Sequence, residues 1–291
     1  MKLIDINSAR LNKSGKVPYI EFPPLSNIPF VAHGFSTRLG GVSTGMFSSL
    51  NLGFGLSTYE DDPENIKENF LRITESIGVD IDSLVMSDQV HKTVIRLVDN
   101  NDKGKGFTAP IDYKDIDGLI TNTQGITLVT KYADCVPLFF VDTVNKAIGL
   151  SHSGWKGTVG RIGQITVEEM SKAFGSNPRD IIAVIGPSIC KDCYEVGEEV
   201  AIEFKNVFSN ATKIESKVDD NLPILTENPR GRYQLNLWEA NRRVLFEAGL
   251  KEDNIHISNV CTACNSDILF SHRKTNGKRG SLAAFLSIKE L

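Results

Sequence analysis

The stretch ADCVPLFFVDTVNKAIGLSHSGWKG, residues 133–157, contains two apolar runs joined by the polar segment DTVN. Apolar runs joined in this way are typical of a β-hairpin, in which two antiparallel strands lie side by side. If DTVN forms the loop, Val141 faces Lys146. Counting outward along the ladder then places Cys135 directly opposite His152, with Cβ atoms roughly 4.5–5.5 Å apart. The sequence therefore predicts a thiol and an imidazole together at the open end of a hairpin.

The composition is that of a folded protein with no attraction to polyanions. Of 291 residues, 41% are hydrophobic and 23% are charged, and 32 basic against 36 acidic residues leave a formal charge of −4. The length allows one large α/β domain or two smaller ones, and we favour one. The charge favours neither nucleic-acid nor membrane binding, so we expect a small-molecule partner.

The N-terminal region and the cysteine content indicate the compartment. The first residues, MKLIDINSARLNKSGK, contain no apolar signal segment. Runs such as VPLFFV are far shorter than the roughly 18 residues of a membrane helix. The five cysteines are an odd number, which favours thiols, metal ligands or a nucleophile over a disulfide framework. We therefore expect a cytoplasmic protein.

Helix and strand patterns alternate along the chain, which predicts a mixed sheet flanked by helices, an α/β fold. The glycine- and serine-rich residues 33–55 predict a long loop, and residues 62–77 an amphipathic helix. One helix is predicted over residues 157–175, directly after His152. Further strands are predicted at TVIRLV, DGLIT, ITLVT, IIAVIG, NIHISNV and LAAFLSI, and further helices at GEEVAIEFKNVF and NLWEANRRVLFEAG.

Cys135 and His152 gain a possible partner in His91, which precedes the predicted strand TVIRLV. Zinc accepts cysteine sulfur and histidine nitrogen, and three protein ligands with one open position characterise a catalytic zinc site. Without a metal, the same residues would form a Cys–His nucleophile pair. A buried cysteine beside an incidental histidine is the plainest alternative. The spacing of these residues along the chain does not distinguish between these three interpretations.

Two glycine-rich segments are candidates for anion binding. In GFSTRLGGVSTG, Arg38 offers a planar fork for phosphate, and Gly40 and Gly41 let backbone N–H groups approach an anion. In SGWKGT, Lys156 lies just before the predicted helix, whose N-terminus favours anions. A solvated basic residue in a surface loop is the alternative at both places.

The remaining four cysteines lie in two CxxC motifs, Cys190/Cys193 and Cys261/Cys264. Zinc ribbons separate such pairs by roughly 15–20 residues, far less than here, so we expect partly buried thiols without a metal. Zinc nucleobase deaminases carry H-x-E ahead of P-C-x-x-C, and no histidine here is followed two places on by glutamate. The basic segment FSHRKTNGKRG is expected to be a solvated face or a pocket rim.

A series of motifs from residue 33 onward occurs in a recognisable order. They are HGFSTRLGGVS, SLNLG, DQVH, DGLIT, ADCVPL, SHSGWKGT, IGPSICKDCYEVG, LWEANR and FSHRKTNGKRG. In this order they resemble the bacterial YlmD/YfiH family, also called the laccase-domain or polyphenol oxidase family, to which mammalian FAMIN is related. The resemblance runs from about residue 30 to the C-terminus.

The resemblance implies a fold and a metal site. The expected fold is a single-domain α/β/β/α sandwich with mixed sheets, a laccase-like catalytic domain over residues 31–291. Residues 1–30 are expected to form an N-terminal extension packed on it. The metal, zinc or in some members copper, is expected at the histidine of QVH, the cysteine of ADC and the histidine before GW, which here are His91, Cys135 and His152.

The resemblance also implies an activity. The family is linked to phosphorolysis of adenosine, inosine and methylthioadenosine and to adenosine deamination, with purine nucleosides and phosphate as partners, and we expect a monomer or weak homodimer. The arginine of its FSTR loop, here Arg38, lies in the active site, and with Gly40 and Gly41 it is a plausible phosphate clamp. The family commonly reads IGPCCYEV, whereas here Cys193 aligns with the second cysteine and Asp192 replaces the first.

Three other functions stay open. A cysteine hydrolase or amidase acting on peptidoglycan precursors would use Cys135 as nucleophile and His152 as base, and would need no phosphate. A copper-dependent polyphenol oxidase is disfavoured, because multicopper oxidases as a class use about ten histidine ligands and this chain has five histidines. A non-enzymatic partner module would be indifferent to Cys135→Ala.

Overall fold

The computed structural model describes residues 8–54, 59–208 and 223–290. Within these ranges it has fifteen β-strands and seven α-helices. The strands are β1 (Arg10–Asn12), β2 (Tyr19–Glu21), β3 (Val31–Ser36), β4 (Leu84–Met86), β5 (Ile95–Leu97), β6 (Gly118–Thr121), β7 (Thr127–Tyr132), β8 (Val136–Asp142), β9 (Ala147–Ser153), β10 (Ile181–Ile185), β11 (Glu195–Val196), β12 (Leu225–Glu227), β13 (Tyr233–Leu235), β14 (Ile255–Ile257) and β15 (Leu282–Ile288). The helices are α1 (Pro23–Ser26), α2 (Pro63–Ile77), α3 (Trp155–Val159), α4 (Ile162–Phe174), α5 (Glu198–Phe208), α6 (Leu237–Glu247) and α7 (His272–Thr275).

The strands form two six-stranded mixed sheets and one small sheet. The first sheet has the order β1-β2-β3-β15-β7-β4, and the second the order β14-β10-β8-β9-β6-β5. In each, antiparallel neighbours dominate and the parallel pairs are β4 with β7, β5 with β6, and β10 with β14. Strands β11, β13 and β12 form the third, antiparallel sheet.

The two large sheets pack face to face, and helices cover their outer faces. Along β8, Phe139 and Val141 lie in the core between the sheets, whereas Leu138 and Phe140 face the core formed with α4, α5 and α6. Along β15, alternate residues likewise face the first core, and Phe285 faces α2. Strands buried on both faces are apolar without alternation, which explains the continuous runs VPLFFV and LAAFL. The architecture is α/β/β/α, as expected.

The hairpin forms, but its register differs from the predicted one by two residues. Asp142 pairs with Ala147, and Pro137 rather than Cys135 lies opposite His152. Side chains alternate with a period of two, so a shift of two residues leaves each side chain on its original face. Cys135 and His152 are therefore diagonal neighbours on one face, and the thiol still lies near the imidazole.

The shifted register has a local cause in the turn. The carboxylate of Asp142 accepts hydrogen bonds from the backbone N–H groups of Val144 and Asn145 at 2.9 and 3.0 Å. This Asx turn keeps Asp142 in the last ladder pair. The loop is therefore residues 143–146, ending at Lys146 with φ 50°.

Two other predicted elements differ. The helix predicted directly after the hairpin is two helices, α3 and α4, which are interrupted at Gly160 and Arg161, where Arg161 has φ 59°. The long loop predicted from residue 33 begins with four residues of β3, an interior strand of the first sheet. Helix α2 and the other predicted helices and strands form at the predicted places.

Residues 8–30 belong to the body of the domain. Strands β1 and β2 extend the first sheet beyond β3, and Ile20, Phe22 and Leu25 are buried in the core between the sheets. The segment expected to pack on the domain thus supplies two of its strands. Residues 1–7 of that segment lie outside the described residues.

Candidate active site

A cleft of about 590 Å³ lies beside the open end of the hairpin. Loops that follow β4, β7, β9 and β10 and the segment that precedes β15 all contribute to it. Its lining includes Phe54, Asp88, Gln89, His91, Lys131, Tyr132, Asp134, Cys135, His152, Trp155, Ile189, Tyr194, His272, Arg273, Arg279 and Ser281. The cleft therefore contains the predicted thiol and both predicted imidazoles.

Cys135, His91 and His152 form a compact triad in this cleft. One ligand atom from each lies within 4.8 Å of the other two. The Cys135 Sγ is 3.9 Å from His91 Nε2, and the two imidazole rings are 4.8 Å apart in an edge-to-face arrangement. The structure thus brings together the three residues that the sequence grouped.

Asp117, which directly precedes β6, positions both histidines. Its fully buried carboxylate lies 2.9 Å from His152 Nδ1, which leaves Nε2 free for a ligand. The same carboxylate accepts the backbone N–H groups of His91 and Lys92 at 3.0 and 2.7 Å. These bonds stabilise the left-handed backbone of His91, with φ 65°. A carboxylate behind a ligating histidine is the usual support of metal sites.

Asp117 was missed as a site residue by the sequence argument. Asp88, the acidic residue that precedes His91 in the DQVH motif, does not take this role, because its carboxylate accepts the backbone N–H of Asp115 at 3.0 Å. The one available sign of Asp117 was an acidic residue directly before the apolar strand GLIT.

The charges of the triad are coupled. Burial raises the pKa of Cys135, but the neighbouring imidazoles of His152 and His91 outweigh it and lower that pKa to about 6. Burial lowers the pKa of His152, but the Cys135 thiolate and Asp117 raise it to about 9. At neutral pH the metal-free pair is therefore a thiolate and an imidazolium. A bound divalent cation would replace the proton between them.

The triad fits a zinc ion. Zinc–sulfur and zinc–nitrogen bonds of about 2.3 and 2.0 Å place tetrahedral sulfur and nitrogen ligands about 3.5 Å apart. The 3.9 Å between Cys135 and His91 is close to this value, and His152 keeps one ring nitrogen free. Copper also accepts imidazole and thiolate ligands. The donor set supports a metal site without selecting the ion.

The other predicted site residues lie outside the cleft lining. The Arg38 guanidinium donates to the carbonyls of Ser48 and Ser266 at 2.8 and 3.0 Å and stacks on Phe270. Lys156 is exposed on α3, with its ammonium over the Trp155 ring.

The predicted glycines also lie apart from the cleft. Gly41 packs so closely that a Cβ there would collide with the Ser49 carbonyl, and its N–H donates to the Ser49 hydroxyl. Gly40, with φ 84°, packs on Val17. The anion clamp at these positions stays a prediction.

Other cations do line the cleft. In the part of the chain that the structure describes, the Lys131 ammonium forms no side-chain hydrogen bond or salt bridge. Burial lowers its pKa, and the attraction of the Asp88 carboxylate offsets this only in part. Arg279 donates to the hydroxyl of Ser281 at 3.0 Å, and its Nε is buried without a partner among the same residues. Arg273 stacks on Tyr194. The basic segment FSHRKTNGKRG thus forms part of the cleft wall, one of its two predicted roles.

None of the helices in residues 8–54, 59–208 and 223–290 is both long and apolar enough to cross a bilayer.

Comparison with known proteins identifies related chains. Residues 32–289 match the family model described as multi-copper polyphenol oxidoreductase laccase. The purine nucleoside phosphorylase YlmD of Bacillus subtilis (strain 168) is 38% identical over 264 residues, which cover 89% of each chain. Adenosine deaminase RL5, from an unknown prokaryotic organism, is 36% identical over 82% of this chain and 87% of its own. The crystal structure of Bacillus licheniformis hypothetical protein YfiH matches with a TM-score of 0.85 at 32% identity, covering 98% of this chain and 100% of that one.

Proposed function

The chain belongs to the multi-copper polyphenol oxidoreductase laccase family, and we propose that it is a zinc-dependent purine nucleoside phosphorylase that also deaminates adenosine. Relatives named purine nucleoside phosphorylase and adenosine deaminase support an enzyme of this class. The observation that carries the proposal is the convergence of His91, Cys135 and His152 in a cleft whose wall also contains several cationic side chains.

The three residues of the triad would bind the metal, and Asp117 would keep His91 and His152 in position. Zinc bound by His91, Cys135 and His152 would supply Lewis-acid polarisation at its open position. Asp117 fixes the His152 ring through Nδ1 and fixes the backbone at His91. The ligands are therefore oriented before any substrate binds, which lowers the cost of reaching the reactive geometry.

Phosphorolysis requires a bound phosphate beside the ribose. A phosphate oxygen forms a bond to C1′ while the C1′–N9 bond breaks, and the purine leaves with the electron pair and takes up a proton. The phosphate charge must be balanced inside the cleft. Lys131, Arg273 and Arg279 are cations of the cleft wall, and we assign them to this role. Arg38 would have to leave its two carbonyl partners to join them.

The purine would bind through the aromatic part of the cleft. Trp155 and Tyr194 contribute partly exposed rings to its lining, and flat heteroaromatic bases stack on such faces. The Tyr132 ring is only 2% exposed and packs against His152, so it supports the triad rather than the base. The hydroxyl of Tyr132 is engaged by Thr130 at 2.7 Å and Ser151 at 3.1 Å. This ring is therefore held in a fixed orientation next to the triad.

Product analysis tests the proposal. Metal-analysed protein is incubated with adenosine with and without phosphate, and adenine, inosine and hypoxanthine are separated by chromatography. We expect adenine and ribose 1-phosphate only when phosphate is present, inosine in both cases, and loss of all products in Cys135→Ala. Absence of every purine product from zinc-loaded protein would rule the proposal out.

A cysteine amidase is the second candidate, and one observation favours it. The Cys135 pKa of about 6 beside a protonated His152 is the electrostatic state of a cysteine nucleophile. Such an enzyme would be independent of phosphate and would form a covalent adduct at Cys135 with an amide substrate. Intact-mass analysis after brief incubation with substrate would detect that adduct.

A further inference from the structure

The two CxxC motifs meet at one point of the fold. The four sulfur atoms lie within 4.8 Å of one another, and they form the four-cysteine cluster of Cys190, Cys193, Cys261 and Cys264. All four residues are free of disulfides, Cys261 is buried and Cys264 is exposed. The wide gap in sequence led us to expect partly buried thiols without a metal. Three of the four are buried or partly buried, and the structure adds that all four lie together.

Strand topology brings the motifs together. Strands β10 and β14 are parallel neighbours, so the chain leaves both at one edge of the second sheet. The pairing continues past the strand ends, where Ser188 donates to the Val260 carbonyl and accepts from the Thr262 N–H through its own carbonyl. The first CxxC motif begins two residues after Ser188, and the second begins at Cys261, the residue that pairs with Ser188. The short spacing between CxxC pairs in compact zinc ribbons is not required here, because neighbouring strands of one sheet bring the two motifs together.

The distances within the cluster match one tetrahedral ion. Zinc–sulfur bonds of about 2.3 Å imply sulfur atoms about 3.8 Å apart in a regular tetrahedron. The Sγ of Cys264 is 3.5 Å from that of Cys193 and 4.0 Å from that of Cys190. Disulfide sulfurs are only about 2.0 Å apart.

Two backbone N–H groups converge on the buried sulfur of the cluster. The N–H groups of Cys190 and Cys264 both donate to the Cys261 sulfur, at 3.3 and 3.4 Å. Donors that converge on one sulfur stabilise its anionic form. Without a cation, four thiolates at this spacing would repel one another strongly.

We propose that the four-cysteine cluster binds one zinc ion in a closed structural site, separate from the triad in the cleft. Thiolate ligands in tetrahedral arrangement select zinc or iron–sulfur centres. A polynuclear cluster distributes its cysteines over different iron atoms, whereas these sulfurs are close enough to share one ion. Because protein sulfurs fill all four positions, no position remains for substrate.

The zinc site at the four-cysteine cluster would stabilise one wall of the cleft. Ile189 and Tyr194, which flank the first CxxC motif, line the cleft. From the second motif, Thr262 donates to the Asp134 carboxylate at 2.6 Å, and the same carboxylate accepts the Arg273 N–H at 2.7 Å. Loss of the zinc ion would therefore make this wall of the cleft less rigid. As a result, KM for phosphate or nucleoside would rise by a larger factor than kcat falls.

The test uses full-length Cys135→Ser protein. In this variant the triad has lost its thiolate ligand, and the four cysteines of the cluster are the remaining cysteines. Metal content is measured by mass spectrometry after purification with zinc, and the protein is then reconstituted with cobalt. We expect one zinc per chain, and the intense visible and charge-transfer bands of tetrahedral cobalt with several thiolates. Adding Cys193→Ser and Cys264→Ser should abolish both signals and lower the unfolding temperature by several degrees.

Three results would overturn the proposal. The first is Cys135→Ser protein with no zinc and no cobalt–thiolate spectrum, a readout that needs no variant of the cluster itself. The second is iron in place of zinc. The third is a native disulfide between Cys193 and Cys264, seen as a mass lower by two hydrogen atoms that is restored on reduction.

Discussion

At the scale of single residues, Asp117 is the group on which the candidate metal site depends. Its carboxylate contacts His152 and holds the backbone at His91. We predict that Asp117→Asn weakens zinc binding at the triad by roughly 10- to 100-fold, the usual effect of removing such a partner. Competition with a chromophoric chelator, in protein whose four-cysteine cluster has been mutated, measures this affinity. Asp88→Asn is the control, and equal affinities in both variants would contradict the assignment.

Lys131 is the residue that most directly tests the phosphate site. Its ammonium lines the cleft without an ion-pair partner among the described residues. We predict that Lys131→Gln raises KM for phosphate about tenfold or more, since a hydrogen bond to a charged group contributes roughly 1.5–3 kcal/mol, while KM for adenosine changes little. Steady-state kinetics at varied phosphate measure the effect. Exposed Lys114→Gln should behave as wild type, and an unchanged phosphate KM in Lys131→Gln would move the phosphate elsewhere.

The sequence located the triad although its register argument was wrong by two residues. The grouping survived because side chains repeat every two residues along a strand, so His152 kept the face expected of it. Lys131 and Asp117 were not found, because a single charged residue in or before a strand has no periodic pattern. Their role depends on contacts with loops distant in sequence.

At the scale of elements, β3 makes stability depend on pH through His33. The ring is buried, and its Nε2 accepts the Phe22 N–H at 2.8 Å, so it must be neutral. Burial, assisted by Lys289, lowers its pKa from 6.5 to about 4. The unfolded chain therefore binds more protons between these values, and stability is complete above pH 6.5 and falls as the pH decreases towards 4. The total loss is about 3 kcal/mol.

His33→Gln should remove this part of the pH dependence. Urea unfolding at pH 7, 6 and 5 measures it, and we expect a smaller loss of stability on acidification in the variant than in wild type. His256, on the half-buried strand β14, serves for comparison, and His256→Gln should retain most of the wild-type slope. Identical slopes in wild type and His33→Gln would refute the prediction.

Elements were predictable where their signals are local. Helix α2 begins after Asp62, whose carboxylate accepts the Glu64 N–H at 2.9 Å, and ends at Gly78 with φ 79°. Strand β3 was hidden in a glycine- and serine-rich segment because its partners β2 and β15 lie elsewhere in the sequence. The break between α3 and α4 depends on the left-handed backbone at Arg161, which no residue preference predicts.

At the scale of the whole molecule, the core between the sheets sets stability. Phe139 is fully buried there and packs edge-on against Phe22, with ring centroids 5.0 Å apart. We predict that Phe139→Ala lowers the free energy of unfolding by about 3–5 kcal/mol. Chemical denaturation at pH 7 measures the change. Val144→Ala in the hairpin loop, 66% exposed, should change stability by less than about 0.5 kcal/mol, and equal effects would place the core elsewhere.

The resemblance of the sequence to a known family predicted the layered architecture, and the apolar runs are consistent with it. The proximity of the two CxxC motifs, which are distant in sequence, was not predicted. The continuous runs of β8 and β15 fit strands covered on both faces. The meeting of the two CxxC motifs depends on β10 and β14 being parallel neighbours, and strand order is not encoded in spacing along the chain.

The most direct test of the central proposal links metal, triad and reaction. Metal-free wild type and Cys135→Ala are titrated with zinc in the presence of adenosine and phosphate, and ribose 1-phosphate is measured. We predict that product formation by wild type rises from near zero to a plateau as zinc fills the triad in addition to the four-cysteine cluster, while Cys135→Ala, which retains that cluster, stays inactive at every zinc concentration. Full activity of metal-free wild type, or of Cys135→Ala, would contradict a zinc-dependent phosphorylase at this site.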